Sequence, residues 1–215
     1  MKKLTVLGLL LLCFSAYAVA DKINFLFSNG PLDSLTASPA GISTSGGGLV
    51  QVKDITKDIT IPMGGTLSAL SSGPATTFTA LMNVVIATYS AGGTDSIEVL
   101  NASNQPILRG NVNENGAFLT AFPNGQGAYL GTFTVTFVDP ALLAMFGLGP
   151  GFQTEGSFST TFGGDNYDST TMTVTGQLST AGITIQTAVP EPASLGLLGM
   201  GLLAAVGIVR RRLRQ

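Results

Sequence analysis

Short runs of alternating apolar and polar residues, separated by Gly, Asn and Pro clusters, fill most of the chain. The clearest run is 132–138, where Phe133, Val135 and Phe137 share one face and threonines occupy the other. A period of two with threonine outward is typical of a half-buried β-strand. The pattern predicts strands at 23–28, 48–53, 55–61, 76–89, 96–101, 107–113, 128–138, 156–162, 170–178 and 182–187.

One segment, 139–147, breaks the alternation and predicts a short helix. Asp139 is placed to cap it, Pro140 suits its first turn, and Gly147 can end it. Its predicted apolar face consists of Leu142, Met145 and Phe146. We interpret the helix as a plug that closes one end of the body. The alternative is an exposed apolar patch that docks a partner and is completed by Leu148 and Phe152.

The predicted strands define the fold class. Sheets with one apolar face each bury those faces by packing together, so we predict an all-β body. The prediction is an antiparallel β-sandwich with one short helix in residues 21–189, a length that fits a single domain. A single closed sheet stays open as an alternative.

The N-terminal 20 residues have the features of a secretory signal peptide. Two lysines precede an apolar stretch at 4–14, and Ala18 and Ala20 supply the small residues before a cut at Asp21. We therefore predict export through the inner membrane and removal of residues 1–20.

The C-terminal segment, 190–215, carries a second set of signals. Pro190, Glu191 and Pro192 precede an uncharged apolar stretch at 193–209. The prolines favour an extended backbone, and the stretch is just long enough to predict a transmembrane helix. Four arginines follow it and would stay in the cytoplasm, which places the body outside. These are Arg210, Arg211, Arg212 and Arg214.

This order of motif, span and basic tail resembles the PEP-CTERM sorting signal of Gram-negative bacteria that make extracellular polysaccharide. The resemblance implies recognition by an exosortase-type membrane protease that cuts near Pro190. It implies transient membrane anchoring, then release to the cell surface or the extracellular space. It also implies exopolysaccharide or matrix proteins as partners. A single-span anchor that is never cut is the alternative.

Charge narrows the partners of the body. Residues 21–189 hold 4 basic and 11 acidic side chains, so their net charge is 4 − 11 = −7. Nucleic acid requires cations that neutralise phosphates, so we predict no nucleic-acid partner.

Composition also limits catalysis. The chain has no histidine, and its sole cysteine lies in the predicted signal peptide. Imidazole-dependent serine or cysteine catalysis and zinc sites are therefore excluded. Glycoside hydrolysis by a carboxylate pair is a less favoured alternative, with Asp95 and Glu98, or Glu155 with Asp165 and Asp168, as the acids. We predict no catalytic residues.

Calcium is a further possibility, because hard cations bind oxygen ligands in loops. Asp165, Asn166 and Asp168 lie in one Gly-rich stretch, 163–169. The stretch does not fit EF-hand spacing, and an ordinary polar turn explains it equally. No other cofactor is predicted.

The sequence as a whole predicts a secreted, non-catalytic protein of the cell envelope or the extracellular polysaccharide matrix. The alternative is a carbohydrate-binding or adhesin module. In that alternative a tyrosine of the body, Tyr89, Tyr129 or Tyr167, stacks on sugar.

Overall fold

The computed structural model describes residues 21–28, 34–148 and 155–186. Within that part, antiparallel strands and one short helix follow one another along the chain, which confirms the all-β fold class. The strands are β1 Lys22–Ser28, β2 Ser34–Ser38, β3 Gly41–Ser45, β4 Gly48–Asp54, β5 Ile59–Ser72, β6 Ala75–Leu81, β7 Val84–Tyr89, β8 Ile97–Asn101, β9 Pro106–Phe122, β10 Gln126–Val138, β11 Glu155–Asp168 and β12 Thr173–Gln186. The helix, α1, is Pro140–Met145 and lies between β10 and β11.

The hydrogen-bonded ladders join the described strands into one sheet whose pairings close on themselves. Eight strands form the closed circuit, in the order β1, β4, β5, β8, β9, β10, β11, β12 and back to β1. β2 and β3 pair in turn between β12 and β5. β7 pairs with β9, and β6 pairs with β7. The strands therefore form one continuous sheet. This is the alternative that the sequence left open beside a sandwich of two separate sheets.

The core lies inside this circuit. Each of its eight strands contributes a side chain that is at most 3% exposed. One such residue per strand, in circuit order, is Phe25, Val52, Leu67, Val99, Leu108, Phe133, Phe158 and Ile183. Burial of this apolar set is the main stabilising contribution, since the body has no cysteine and hence no disulfide.

Phenylalanine rings in the ladder between β10 and β11 lie over glycines directly opposite them. The pairs are Gly127 with Phe162, Gly131 with Phe158, and Gly156 with Phe133. A Cβ added at these glycines would lie 2.2, 2.7 and 2.4 Å, respectively, from the facing ring. These glycines therefore make room for aromatic rings within strands, rather than forming turns.

The prediction of a single strand at 76–89 is wrong in one respect, because the segment forms two strands, β6 and β7. Met82 and Asn83 form a two-residue turn in the left-handed region, with φ of 51° and 65°. Two consecutive positive φ values define the hairpin turn that best matches strand twist. The usual Asn-Gly signal is missing, so no local residue pattern indicated the turn.

A second correction concerns Phe137, near the C-terminal end of β10. Phe133 is fully buried as predicted, but Phe137 is 38% exposed. The pairing register between β10 and β9 shifts between Val135 and Phe137. This bulge reverses the alternation, so Val138 packs against the core instead.

The predicted helix is confirmed at Pro140–Met145. The Asp139 carboxylate accepts a hydrogen bond from the Ala141 N–H, and Gly147 follows with φ of 68°. The predicted apolar face is partly wrong. Leu142, Leu143 and Phe146 are buried, whereas Met145 is 59% exposed.

Candidate functional site

The sorting and processing residues predicted from the sequence lie outside the described residues. They are Ala18, Ala20, Pro190, Glu191, Pro192, Arg210, Arg211, Arg212 and Arg214, together with the apolar stretch 193–209. Within the part of the chain that the structure describes, no helix has the length and hydropathy needed to cross a membrane.

The tyrosines expected to stack on sugar do not form a binding face. Tyr89 and Tyr129 are fully buried, and this burial raises the pKa of both hydroxyls. The Tyr129 hydroxyl lies 2.7 Å from the Ser72 hydroxyl, inside the core. Tyr167 is partly buried against the core. The prediction of sugar stacking is therefore wrong for Tyr89 and Tyr129, which are core residues.

The first candidate carboxylate pair is bridged by a cation. The Arg109 guanidinium lies 2.9 Å from the Glu98 carboxylate and 3.8 Å from that of Asp95. Glu98 also accepts a hydrogen bond from the Ser68 hydroxyl. In a glycosidase, the scissile bond occupies the space between the two carboxyl groups. Here the guanidinium bridges them, so Asp95 and Glu98 are arranged as a surface ion-pair network.

The second candidate pair is separated by the strand that contains it. Glu155 begins β11 and Asp168 ends it, 14 residues in all. At about 3.3 Å per residue, a strand of this length holds its two ends tens of ångströms apart. Glu155 and Asp168 therefore do not face each other across a cleft.

The residues proposed as calcium ligands lie at the end of β11. The Asp168 carboxylate accepts hydrogen bonds from the Thr170 N–H and the Thr171 hydroxyl, both at 2.8 Å. These bonds lower the pKa of Asp168. Asn166 is exposed, and the side chain of Asp165 lies outside the described part. Among the described residues there is no cluster of three His, Cys, Asp or Glu that could hold a metal, so calcium binding stays a prediction.

The helix α1 packs its apolar side against the core rather than presenting it to solvent. Leu142, Leu143 and Phe146 are at most 3% exposed and belong to the core. Leu148 is partly buried against that core. Phe152 lies outside the described residues. The exposed docking patch considered from the sequence is therefore reduced to Met145 among the residues that the structure describes.

The sequence analysis did not identify one further surface, an uncharged outer face that crosses β6, β7, β9, β10, β11 and β12. We call it the threonine face. Its first row, joined strand by strand through the pairing register, is Thr79, Ile86, Thr120, Ala128, Thr161 and Thr180. Its second row is Thr77, Thr88, Phe118, Leu130 and Ser159. All of these side chains are exposed or half-buried.

The threonine face combines hydroxyl groups with exposed apolar groups at regular spacing. Neighbouring strands in a sheet lie about 4.8 Å apart, so each row presents groups at that interval. Phe118 and Leu130 are direct cross-strand neighbours, 37% and 41% exposed. Phe122, four residues after Phe118 on the same strand, is 47% exposed. Ile86 adds a further apolar group at 45% exposure.

No residue of the two rows carries a charge, although the body has a net charge of −7. Such a face can hydrogen bond through hydroxyls and contact C–H groups through methyls and rings. The groups on this face are therefore suited to hydrogen bonding and apolar contact with a ligand.

One sequence signal could have located this face. Residues 115–138 contain no charged side chain, a long interval for a protein surface. The segment 117–122 has apolar residues on both faces and only Thr120 as a polar residue, so its period did not reveal a strand or which side lies outward. Only the pairing of β9 with β7 and β10 settled that.

Comparison with known protein families matches residues 188–212 to the PEP-CTERM protein-sorting motif. No curated protein and no solved structure matches the chain.

The chain is therefore a protein that contains a PEP-CTERM sorting motif. Exosortase recognises motifs of this kind, which direct export and cell-surface sorting in Gram-negative bacteria. The match covers the C-terminal segment, so the role of the β body is argued separately below.

Proposed function

We propose that the protein is a non-catalytic component of the cell surface or the extracellular polysaccharide matrix, where it binds neutral polymer through the threonine face. The observation that carries this proposal is a charge-free, hydroxyl-rich face across six strands of a body with a net charge of −7. A neutral polysaccharide offers hydroxyls and C–H groups, which match what this face presents.

Two further observations support polymer binding over other roles. Phe118 and Phe122 project from one strand and supply flat apolar rings beside the hydroxyls. The candidate carboxylates Asp95, Glu98 and Asp168 are held in ion pairs or turn hydrogen bonds. Net negative charge also disfavours anionic polymers, because like charges repel.

The sorting route is part of the proposal. After export and removal of residues 1–20, the C-terminal segment anchors the chain transiently, and exosortase cuts near Pro190. The intact mass of the protein recovered from outside a polysaccharide-producing host tests this route. The expected mass corresponds to a chain from Asp21 to about Pro190. A mass that retains residues 193–215, or recovery from membranes alone, would contradict release.

Binding is tested with two phenylalanines that are equally exposed. Phe118 lies on the threonine face, whereas Phe137 lies beside Arg109 on another part of the surface. We expect Phe118→Ser to weaken binding to immobilised neutral glucan, or to exopolysaccharide purified from the host, by about tenfold, equivalent to about 1.4 kcal/mol. Phe137→Ser should bind as the wild type does.

The polymers themselves provide the second control. Binding to anionic alginate should be weaker than binding to neutral glucan at low ionic strength. Equal loss in both phenylalanine variants would mean that the threonine face is not the binding surface. Release of reducing ends from any of these polymers would contradict the non-catalytic assignment.

A further inference from the structure

The described sheet has one open edge, along strand β6. Every other described strand has a partner on each side, but β6 pairs with β7 alone. At its first residue, the Ala75 N–H donates to the Pro39 carbonyl, and the ladder does not continue from there. An unpaired edge presents a row of N–H and C=O groups that can pair with another strand.

The hairpin turn determines which backbone groups of β6 face this open edge. In a two-residue hairpin the flanking residues, here Leu81 and Val84, form a hydrogen-bonded pair. Hydrogen-bonded and non-hydrogen-bonded pairs then alternate along an antiparallel ladder. Thr79 therefore bonds to β7, whereas the N–H and C=O groups of Phe78 and Ala80 point to the open edge.

The edge lacks the side chains that keep edge strands apart. Natural edges are blocked by lysine, by proline, by inward-pointing charges or by bulges. Residues 75–81 include no lysine, proline or charged residue, and no charged residue occurs anywhere in 75–89. The register shift in the β6–β7 ladder lies between Ala75 and Thr77, before the segment 78–80 that lies along the open edge. Leu81 and Met82, at the tip of the hairpin, are 68% and 86% exposed.

We propose that β6 is a self-association edge, at which two copies of this chain pair antiparallel with Thr79 on the two-fold axis. In this register Phe78 of one copy pairs with Ala80 of the other, and the reverse, so each pair can exchange two hydrogen bonds. The two Thr79 side chains become direct cross-strand neighbours. The first row of the threonine face then continues from one copy into the next.

Electrostatics favours this edge over the charged parts of the surface for contact between identical chains. Two bodies of net charge −7 repel each other, and the repulsion is smallest where the contact carries no charge. One pair of seven-residue strands buries less than the roughly 1,200 Å² of stable interfaces, so the association is reversible and depends on concentration. This inference does not depend on polymer binding.

The test is sedimentation of the processed protein from about 10 μM to about 1 mM, a range suited to a weak interface. We expect the weight-average mass to rise from that of one chain towards twice that value. Thr79→Lys and Thr79→Glu should each stay monomeric, because like charges meet on the axis. An equimolar mixture of the two variants should form dimers again.

Thr161→Lys is the matched control, since Thr161 is an exposed threonine of the same row but lies on β11. It should associate as the wild type does, and thermal unfolding should show that all variants are folded. A wild type that stays monomeric throughout the range would overturn the proposal. So would normal association of both Thr79 variants, loss of association in Thr161→Lys, or a mixture that fails to recover dimers.

Discussion

Substitution of Gly156 by alanine tests whether the rings that lie over glycines hold the sheet together. A Cβ at position 156 would lie 2.4 Å from Cζ and 2.5 Å from Cε1 of Phe133. The ring cannot move aside, because Phe133 is fully buried and also covers Gly110, whose added Cβ would lie 2.4 Å from Cδ2. Gly156 is not in the left-handed region, so the expected effect is steric.

The magnitude follows from overpacking a filled core. Extra methyl groups in such sites cost about 1–3 kcal/mol, and we expect Gly156→Ala to lower the free energy of unfolding by that amount. Phe133→Ala removes the ring and should cost about 3–5 kcal/mol. In that background the added methyl group meets a cavity instead of a ring. Gly156→Ala should therefore cost almost nothing in the Phe133→Ala background, which gives a coupling free energy of about 1–3 kcal/mol between the two substitutions.

Denaturant unfolding of the wild type, both single variants and the double variant measures this coupling. Gly93→Ala is the control, because a Cβ there would have no atom within 4 Å and its φ is not positive. It should be neutral or slightly stabilising, by up to about 1 kcal/mol. Additive effects of the Gly156 and Phe133 substitutions within about 0.5 kcal/mol would refute the packing argument.

Three further predictions concern the helix and the turn before β5. Leu142→Ala should cost about 2–5 kcal/mol of unfolding free energy and Met145→Ala under about 0.5, since one side chain is buried and the other exposed. Asp54→Ala should cost about 1–3 kcal/mol, because buried Asp54 accepts two backbone N–H groups at 2.9 and 3.0 Å, and Asp54→Asn should cost less; chemical unfolding compares them. The hydrogen bond to Asp21 raises the pKa of Lys57 above 10.5. The stabilisation of the folded state by the charged Lys57 is therefore full below pH 10.5 and is lost as pH rises through the folded-state pKa. The stability difference between wild type and Lys57→Met should therefore shrink above pH 10.5 in unfolding titrations, and a constant difference would contradict it.

Local patterns in the sequence predicted those elements that depend only on neighbouring residues. The helix at 140–145 was found because Asp139, Pro140 and Gly147 each act on their own neighbours. The strand containing Phe133 was found because a period of two needs no knowledge of its partners. The turn at 55–58 was wrongly predicted to be the start of a strand. The turn is held by the Asp54 carboxylate, which accepts hydrogen bonds from the turn backbone.

The glycines illustrate a limit of that reasoning. Glycine clusters separate the alternating runs in the sequence, yet Gly64 and Gly65 lie within β5, and Gly163 and Gly164 lie within β11. A glycine favours a turn when isolated, but it equally permits another group to approach closely. A Cβ at Gly65 would meet the Leu100 carbonyl oxygen of β8, and only the pairing of these strands reveals it.

The sequence by itself determined the all-β class, the short helix, the acidic charge of the body and the sorting motif at the C-terminus, because each depends on residues close together in the chain. Tertiary structure decided which strands pair, that Tyr89 and Tyr129 are buried, and that Phe118 and Leu130 meet on the surface. It also left β6 as the open edge. These features depend on register between distant segments, where a shift of one residue moves every side chain to the other face.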